Sequence, residues 1–207
     1  TVLHAAMENL DCKHIVSSPI EHHATLHTVS HLAKKYNAKL SLVTILPNGH
    51  IDTAHLEQIL ATSNEKTIVS IMHANNEIGN CISLHEVGAL CKKHNAYFHS
   101  DTVQTVGHFH FDLKNIPVDF VTAAGHKFHG PKGTGILYIN ENIKINPFLH
   151  GGAQERNMRA GTENVYGIVG FAKALELSNQ NHDKDKAYIS GLKKYMYDSL
   201  VNNIPSV

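Results

Sequence analysis

Ala123-Ala124-Gly125-His126-Lys127-Phe128-His129-Gly130-Pro131-Lys132-Gly133-Thr134-Gly135 stands between two apolar runs, 118–122 and 136–139. Two strands joined by a structured, glycine-rich crossing place Lys127 near strand ends, where α/β sheets hold their ligands. A lysine hemmed in by glycines and a proline at such a place is expected to be desolvated. A desolvated amine is more readily neutral, and a neutral amine attacks a carbonyl to form a Schiff base. The same glycines also suit a plain turn capped by Lys127. The surrounding chain has to decide between the two.

Working outward, residues 14–18, 39–46, 67–73, 96–99, 119–122 and 134–139 read as strands. Helices are expected over 1–9, from Glu21 to about Lys35, after a cap at Asp52 or Thr53, and across Leu84, Val87, Leu90 and Cys91. Two more are expected near the end, over about 162–177 and 184–201. Strand alternating with helix means an α/β fold: a mainly parallel sheet with helices on both faces, a three-layer sandwich.

A chain of 207 residues with 42% hydrophobic and 17% charged residues buries a sizeable core. Its formal net charge of zero gives no reason to expect a nucleic-acid partner. No apolar run approaches membrane-spanning length, so a cytoplasmic protein is expected. Cys12, Cys81 and Cys91 lack the spacing of a metal or disulfide framework. The histidines number eighteen, and His23, His27 and His31 would share one helix face and could bind a metal. No carboxylate at the HExxH spacing and no Cys-x-x-Cys accompanies them, so no metal site is expected.

The polar strand ends carry the chemistry. Asn75 and Asn76 follow one strand, Asp101 and Gln104 the next, His126 and Lys127 the third. Residues at the carboxyl ends of neighbouring parallel strands converge on one crevice. A carboxylate, two amides and a lysine there suit a pyridine ring that bears an aldehyde and a hydroxyl. Lys127 would hold the aldehyde, Asp101 would keep the ring nitrogen protonated, and Asn76 and Gln104 would bond the phenolic oxygen. Taken singly, Asp101 also suits a helix N-cap and Asn76 a turn amide. Their coincidence at successive strand ends favours the joint reading.

Glu21-His22, His73-Ala74-Asn75-Asn76-Glu77-Ile78-Gly79, His99-Ser100-Asp101-Thr102-Val103-Gln104, Gly125-His126-Lys127 and the run from His150 through Gly151-Gly152-Ala153-Gln154-Glu155-Arg156 to Thr162 stand in this order. Together they closely resemble the cysteine desulfurases, class V aminotransferase-like enzymes of fold type I; selenocysteine lyases share much of the pattern. The resemblance implies pyridoxal 5'-phosphate as cofactor, with Lys127 as its covalent lysine and the proton shuttle at the substrate α-carbon. It implies that His22 stacks on the ring and assists proton transfer, and that Asp101, Asn76, Gln104 and His126 bind the cofactor. Thr162 is implied to reach the phosphate of the neighbouring subunit's cofactor, which makes a homodimer. Arg156 and Arg159 stand in the same loop as phosphate or carboxylate contacts, or as interface ion pairs.

The implied activity is conversion of L-cysteine to L-alanine, with sulfur carried as an enzyme persulfide toward a sulfur-acceptor protein of the scaffold type, for iron–sulfur cluster or thio-cofactor assembly. The alternatives are a selenocysteine lyase, or a chain that keeps only the fold and the dimer surface. Ala124 stands where the family usually has a serine that contacts the phosphate, so one phosphate hydrogen bond is expected to be lost or supplied elsewhere. The family's phosphate loop is expected before Thr1 and its cysteine-bearing loop beyond Val207; none of the three cysteines matches the nucleophile. Residues 1–180 are expected to be the large cofactor-binding domain and 181–207 a helix leading into a smaller one.

Overall fold

The computed structural model describes residues 1–205. Strands β1 (His14–Ser17), β2 (Lys39–Leu42), β3 (Thr67–Ser70), β4 (Tyr97–Asp101), β5 (Phe120–Ala124) and β6 (Gly135–Ile139) form one sheet in the order β2-β1-β3-β4-β5-β6. The first five run parallel, and β6 returns antiparallel to β5 through the glycine-rich crossing. Helices α1 (Val2–Glu8), α2 (His23–Lys35), α3 (Thr53–Ala61) and α4 (Leu84–Lys93) cover the sheet, and α5 (Gln154–Asn157) and α6 (Val165–Asn203) follow it. The mainly parallel α/β sandwich expected from the sequence is the one observed.

Alternate strand residues face opposite sides, so the sheet carries two cores. On one face Val16, Val69, Phe98 and Val121 meet Leu56 and Leu60 of α3 and Leu84, Val87 and Cys91 of α4. On the other, Ile15, Ile68 and Phe120 meet Leu3 and Ala6 of α1 and Val29 and Leu32 of α2. Polar side chains inside the sheet are satisfied by neighbouring strands. His14 bonds Ser63 and Ser41 at 2.9 and 2.8 Å, while His99 bonds Ser70 at 2.8 Å and Thr122 at 3.2 Å. Burial pushes both rings down to about 4, so they are neutral structural residues.

Helix starts follow their capping chemistry. Asp52 accepts from the His55 amide at 3.0 Å and Ser83 from the Glu86 amide at 3.2 Å, while Lys34, Lys35, Lys92 and Lys93 sit in last turns. The C-terminal region differs from expectation: the two expected helices are one, the 39-residue α6. The polar run Asn179-Gln180-Asn181-His182-Asp183 reads as a connection, yet it holds no glycine or proline to interrupt the ladder. Exposed pairs Lys173–Glu176 and Lys194–Asp198, three and four residues apart, suit a continuous helix. The first part of α6 docks on the crossing, where Phe171 meets Phe128 edge-on with ring centroids 5.0 Å apart.

Phe98 is fully buried at the centre of the first core. Phe98→Ala is expected to cost about 3–5 kcal/mol. The check is a fall in the denaturation midpoint at an unchanged slope against denaturant.

Candidate active site at the carboxyl edge of the sheet

Ser17, Ser70, His99 and Phe120 stand in one row across β1, β3, β4 and β5. Everything beyond that row in these strands rises at the same edge. The ladder continues past the strands: the His73 amide donates to the Asp101 carbonyl and the Thr102 amide to the Thr122 carbonyl, both at 2.9 Å. These bonds bring the loop after β3, the end of β4 and the end of β5 together.

Two buried side chains lock the loop after β1 to the loop after β3. Glu21 accepts from Ser18 Oγ at 2.6 Å and from the Met72 amide at 3.0 Å. Asn75 Nδ2 donates to the Ile20 carbonyl at 2.6 Å, and its Oδ1 accepts from the amides of Glu77 and Ile78 at 2.8 and 2.9 Å. Asn75 is therefore the structural member of the Asn-Asn pair. Asn76 is exposed, and its Nδ2 donates to Glu77 Oε1 at 2.6 Å. Glu21 Oε2 is buried without a hydrogen-bond partner. Burial pushes the Glu21 carboxyl up to about 7, against the bonds from Ser18 and Met72, and the charge of Asp101 adds to the rise. Glu21 carried no assigned role in the sequence; its only signal there was a carboxylate beside His22 just past a buried strand.

Asp101 closes β4 half-buried, with Oδ1 accepting from the Val103 amide at 2.9 Å. Among the described residues Oδ2 accepts no hydrogen bond. Burial raises the Asp101 pKa, opposed by the Val103 amide and the charge of His22. His22 is the exposed N-cap of α2, its Nδ1 accepting from the Ala24 amide at 3.2 Å. This leaves Nε2 as the nitrogen that faces outward. Gln104 is half-buried in the loop after β4.

Lys127 sits on a short 3-10 turn, Gly125–Phe128, that follows β5. His129 ends the turn in the left-handed region at φ 66°, and the Gly130 amide donates back to the Gly125 carbonyl at 2.8 Å. A Cβ on Gly130 would lie 2.9 Å from that carbonyl oxygen, so only glycine allows the closure. Gly107, at φ +83°, lets the loop after β4 pass beneath: a Cβ there would lie 2.6 Å from Phe128 Cβ. His108 Nε2 then donates to the Lys127 carbonyl at 2.9 Å. The desolvation expected for Lys127 is not found. The turn carries its side chain past the end of β5, where no helix covers it, and both Lys127 and His126 are exposed.

His22, Asn76, Asp101, Gln104, His126 and Lys127 thus all stand at the end of a strand or just after one, on the carboxyl edge of the sheet. Thr162, Arg156 and Arg159 are exposed in the loop before α6 and bond none of them; Arg159 donates to the Ala160 carbonyl at 3.0 Å. Glu155, Arg156 and Asn157 take three consecutive left-handed conformations, at φ 47°, 56° and 65°. Such a turn costs about 1–2 kcal/mol per residue. Of the cysteines, Cys12 and Cys91 are buried; burial pushes the Cys12 thiol up to about 12 and raises that of Cys91 as well.

A protonated pyridine nitrogen fits Asp101, because a half-buried carboxylate with one unbonded oxygen is stabilised by a cation facing it. An open lysine at the same edge suits the aldehyde of pyridoxal phosphate, and the amide side chains of Asn76 and Gln104 suit its phenolic oxygen.

The aminotransferase class-V family model matches residues 1–207. The chain is 41% identical over 194 residues to "Cysteine desulfurase IscS" of Clostridium botulinum, covering 94% of this chain and 48% of that protein. A solved "NIFS-like protein" superposes with a TM-score of 0.91 at 36% identity, over 97% of this chain and 55% of that one. A structure of "SspA in complex with cysteine" superposes with a TM-score of 0.76 at 31% identity, over 83% of this chain and 49% of that one. The chain spans about half the length of the relatives it matches.

Glu21 sets a pH dependence. Its folded pKa, about 7, lies above the ordinary 4.5, so the native state binds the proton more tightly. The stabilisation is complete below 4.5 and is lost as pH rises through about 7. Its full size is on the order of 3 kcal/mol. Glu21→Gln mimics the protonated form and is expected to remove this decline, which urea unfolding between pH 4.5 and 8 would measure.

Proposed function

The chain belongs to the aminotransferase class-V family, and from that premise we propose that it acts as a pyridoxal-phosphate-dependent cysteine desulfurase, taking sulfur from L-cysteine and leaving L-alanine. The observation that carries this reading is the meeting of His22, Asp101 and Lys127 at one sheet edge, in a chain 41% identical to a cysteine desulfurase. The solved relative in complex with cysteine supports the substrate.

Bound pyridoxal phosphate supplies an electron sink beside the substrate α-carbon. Asp101 holds the proton on the ring nitrogen, which makes the ring a stronger sink. Asn76 and Gln104 bond the phenolic oxygen, and His126 serves the phosphate. Ala124 offers that phosphate no hydroxyl; a hydrogen bond to a charged group is worth about 1.5–3 kcal/mol, so binding weakens without being lost. His22 would face the ring and assist proton movement. Lys127 Nζ would hold the cofactor's carbonyl group and carry the α-proton.

A thiolate would attack Sγ of cysteine and form the S–S bond of a persulfide, while the Cβ–Sγ electron pair stays on Cβ, which takes up a proton on the way to alanine. Cys12 and Cys91 are buried with raised thiols, so neither is that thiolate. A sulfur-acceptor protein of the scaffold type completes the pathway toward iron–sulfur clusters.

The active unit in this reading is a homodimer in which Thr162 serves the neighbouring subunit's cofactor. Support comes from the left-handed turn exposed beside it and from Tyr166, 92% exposed at the start of α6. Residues 1–180 form the cofactor-binding domain and the remainder of α6 leads toward a second one. Among the described residues no helix is long and apolar enough to cross a membrane. The cytoplasm is the proposed compartment.

Addition of pyridoxal phosphate to the purified chain, followed by borohydride reduction and peptide mapping, is expected to mark Lys127, and Lys127→Ala is expected to abolish both the visible absorption and the adduct. A mark on any other lysine would sink the assignment. Asp101→Asn is expected to keep the adduct while slowing exchange of the substrate α-proton by tenfold or more, roughly the loss of one positioned ionic partner. An unaltered exchange rate would remove Asp101 from its role.

A further inference from the structure

One cluster lies outside the chemistry described so far, between the loop after β4 and the middle of α6. His182 is buried on α6, with Nε2 3.1 Å from the His108 carbonyl oxygen and Nδ1 3.0 Å from Asp183 Oδ1. The ring of His110, from the loop, lies beside that of His182 with centroids 3.9 Å apart. One ligand atom from each of His110, His182 and Asp183 falls within 4.8 Å of the other two.

The hydrogen-bond roles are constrained. A carbonyl oxygen only accepts, so His182 Nε2 carries the proton that is donated to His108. That leaves Nδ1 facing a carboxylate oxygen, another acceptor, at 3.0 Å. Two acceptors at that distance need a cation. A proton on Nδ1 would satisfy His182 and Asp183 and leave His110 without a part in the cluster. A divalent metal would use all three. Donation of the far ring N–H to a backbone carbonyl is also the usual way a ligating histidine is oriented.

We propose that His110, His182 and Asp183 form a binding site for a divalent first-row cation, with Zn²⁺ the best match to two imidazoles and one carboxylate. Water completes a tetrahedron. The site is independent of the desulfurase reading. It ties α6 to the loop after β4, and the same His108 whose carbonyl orients His182 also braces the Lys127 carbonyl through its own ring. A cation here would therefore stiffen the support of the lysine turn from behind.

The test is Zn²⁺ titration of the full chain by calorimetry, with Co²⁺ as a visible reporter of tetrahedral geometry. His23 and His27 stack at 5.0 Å on the exposed face of α2, and His31 follows one turn on, so every protein tested carries His27→Ala, which breaks both chelating pairs. One Zn²⁺ per chain is expected. His110→Ala and Asp183→Asn, both at exposed positions that leave the fold intact, are each expected to weaken binding at least tenfold. Loss of a mere outer partner already costs about 10–100-fold. Zn²⁺ should also raise the melting temperature of the parent but not of His110→Ala. No stoichiometric binding in the parent, or unchanged affinity in either variant, would overturn the site.

Discussion

The parallel register of β1, β3, β4 and β5 is the constraint on which the crevice depends. Ser17, Ser70, His99 and Phe120 align, and the bonds from His73 to Asp101 and from Thr102 to Thr122 carry that alignment past the strands. Strand side chains alternate, so a one-residue slip of β4 would move Asp101 to the opposite face and carry Phe98 out of the first core into the second. The hydrophobic pattern that fills two cores therefore also aims the carboxylate. Packing and chemistry are set by one register.

Past the row, the chain is held by polar groups and not by packing. Glu21 and Asn75 bind loop amides and carbonyls that no strand partner reaches. Buried polar groups need such partners, and once paired they position loops more tightly than apolar contact does. The cost is visible at Glu21, which satisfies one oxygen and buries the other without a partner, and burial raises its pKa to about 7. The lysine turn is built differently. Gly107 and Gly130 remove side chains so that backbones close on each other, and Phe128 anchors the turn between the loop after β4 and α6.

Much of this was legible in the sequence. Nearly continuous apolar runs such as residues 67–73 marked the strands, and polar residues immediately after them marked the carboxyl edge, because a parallel sheet leaves little freedom about where strand ends go. The roles of Asn75 and Asn76 were not separable, since adjacent amides differ only in which one the fold buries. The histidines resisted reading for the same reason. His14 and His99 are neutral beams inside the sheet, His22 is a helix cap, and His182 meets His110, 72 positions away in the chain, only because α6 crosses the loop after β4. The unbroken α6 was missed because a polar run without glycine or proline looks like a linker yet carries no breaker.

The exposure of Lys127 has a consequence for how the site is completed. A lysine that works on a carbonyl needs a dry surrounding, and these residues leave its side chain open. Val165, Tyr166 and Val169 turn apolar side chains outward at the start of α6, and Glu155–Asn157 hold a left-handed turn without burying a side chain. Exposed apolar side chains on a helix and a strained, exposed turn are both features that a packing partner stabilises. In the proposed homodimer this stretch is the surface for the second subunit, while the sheet edge supplies His22, Asp101 and Lys127 to the proposed cofactor.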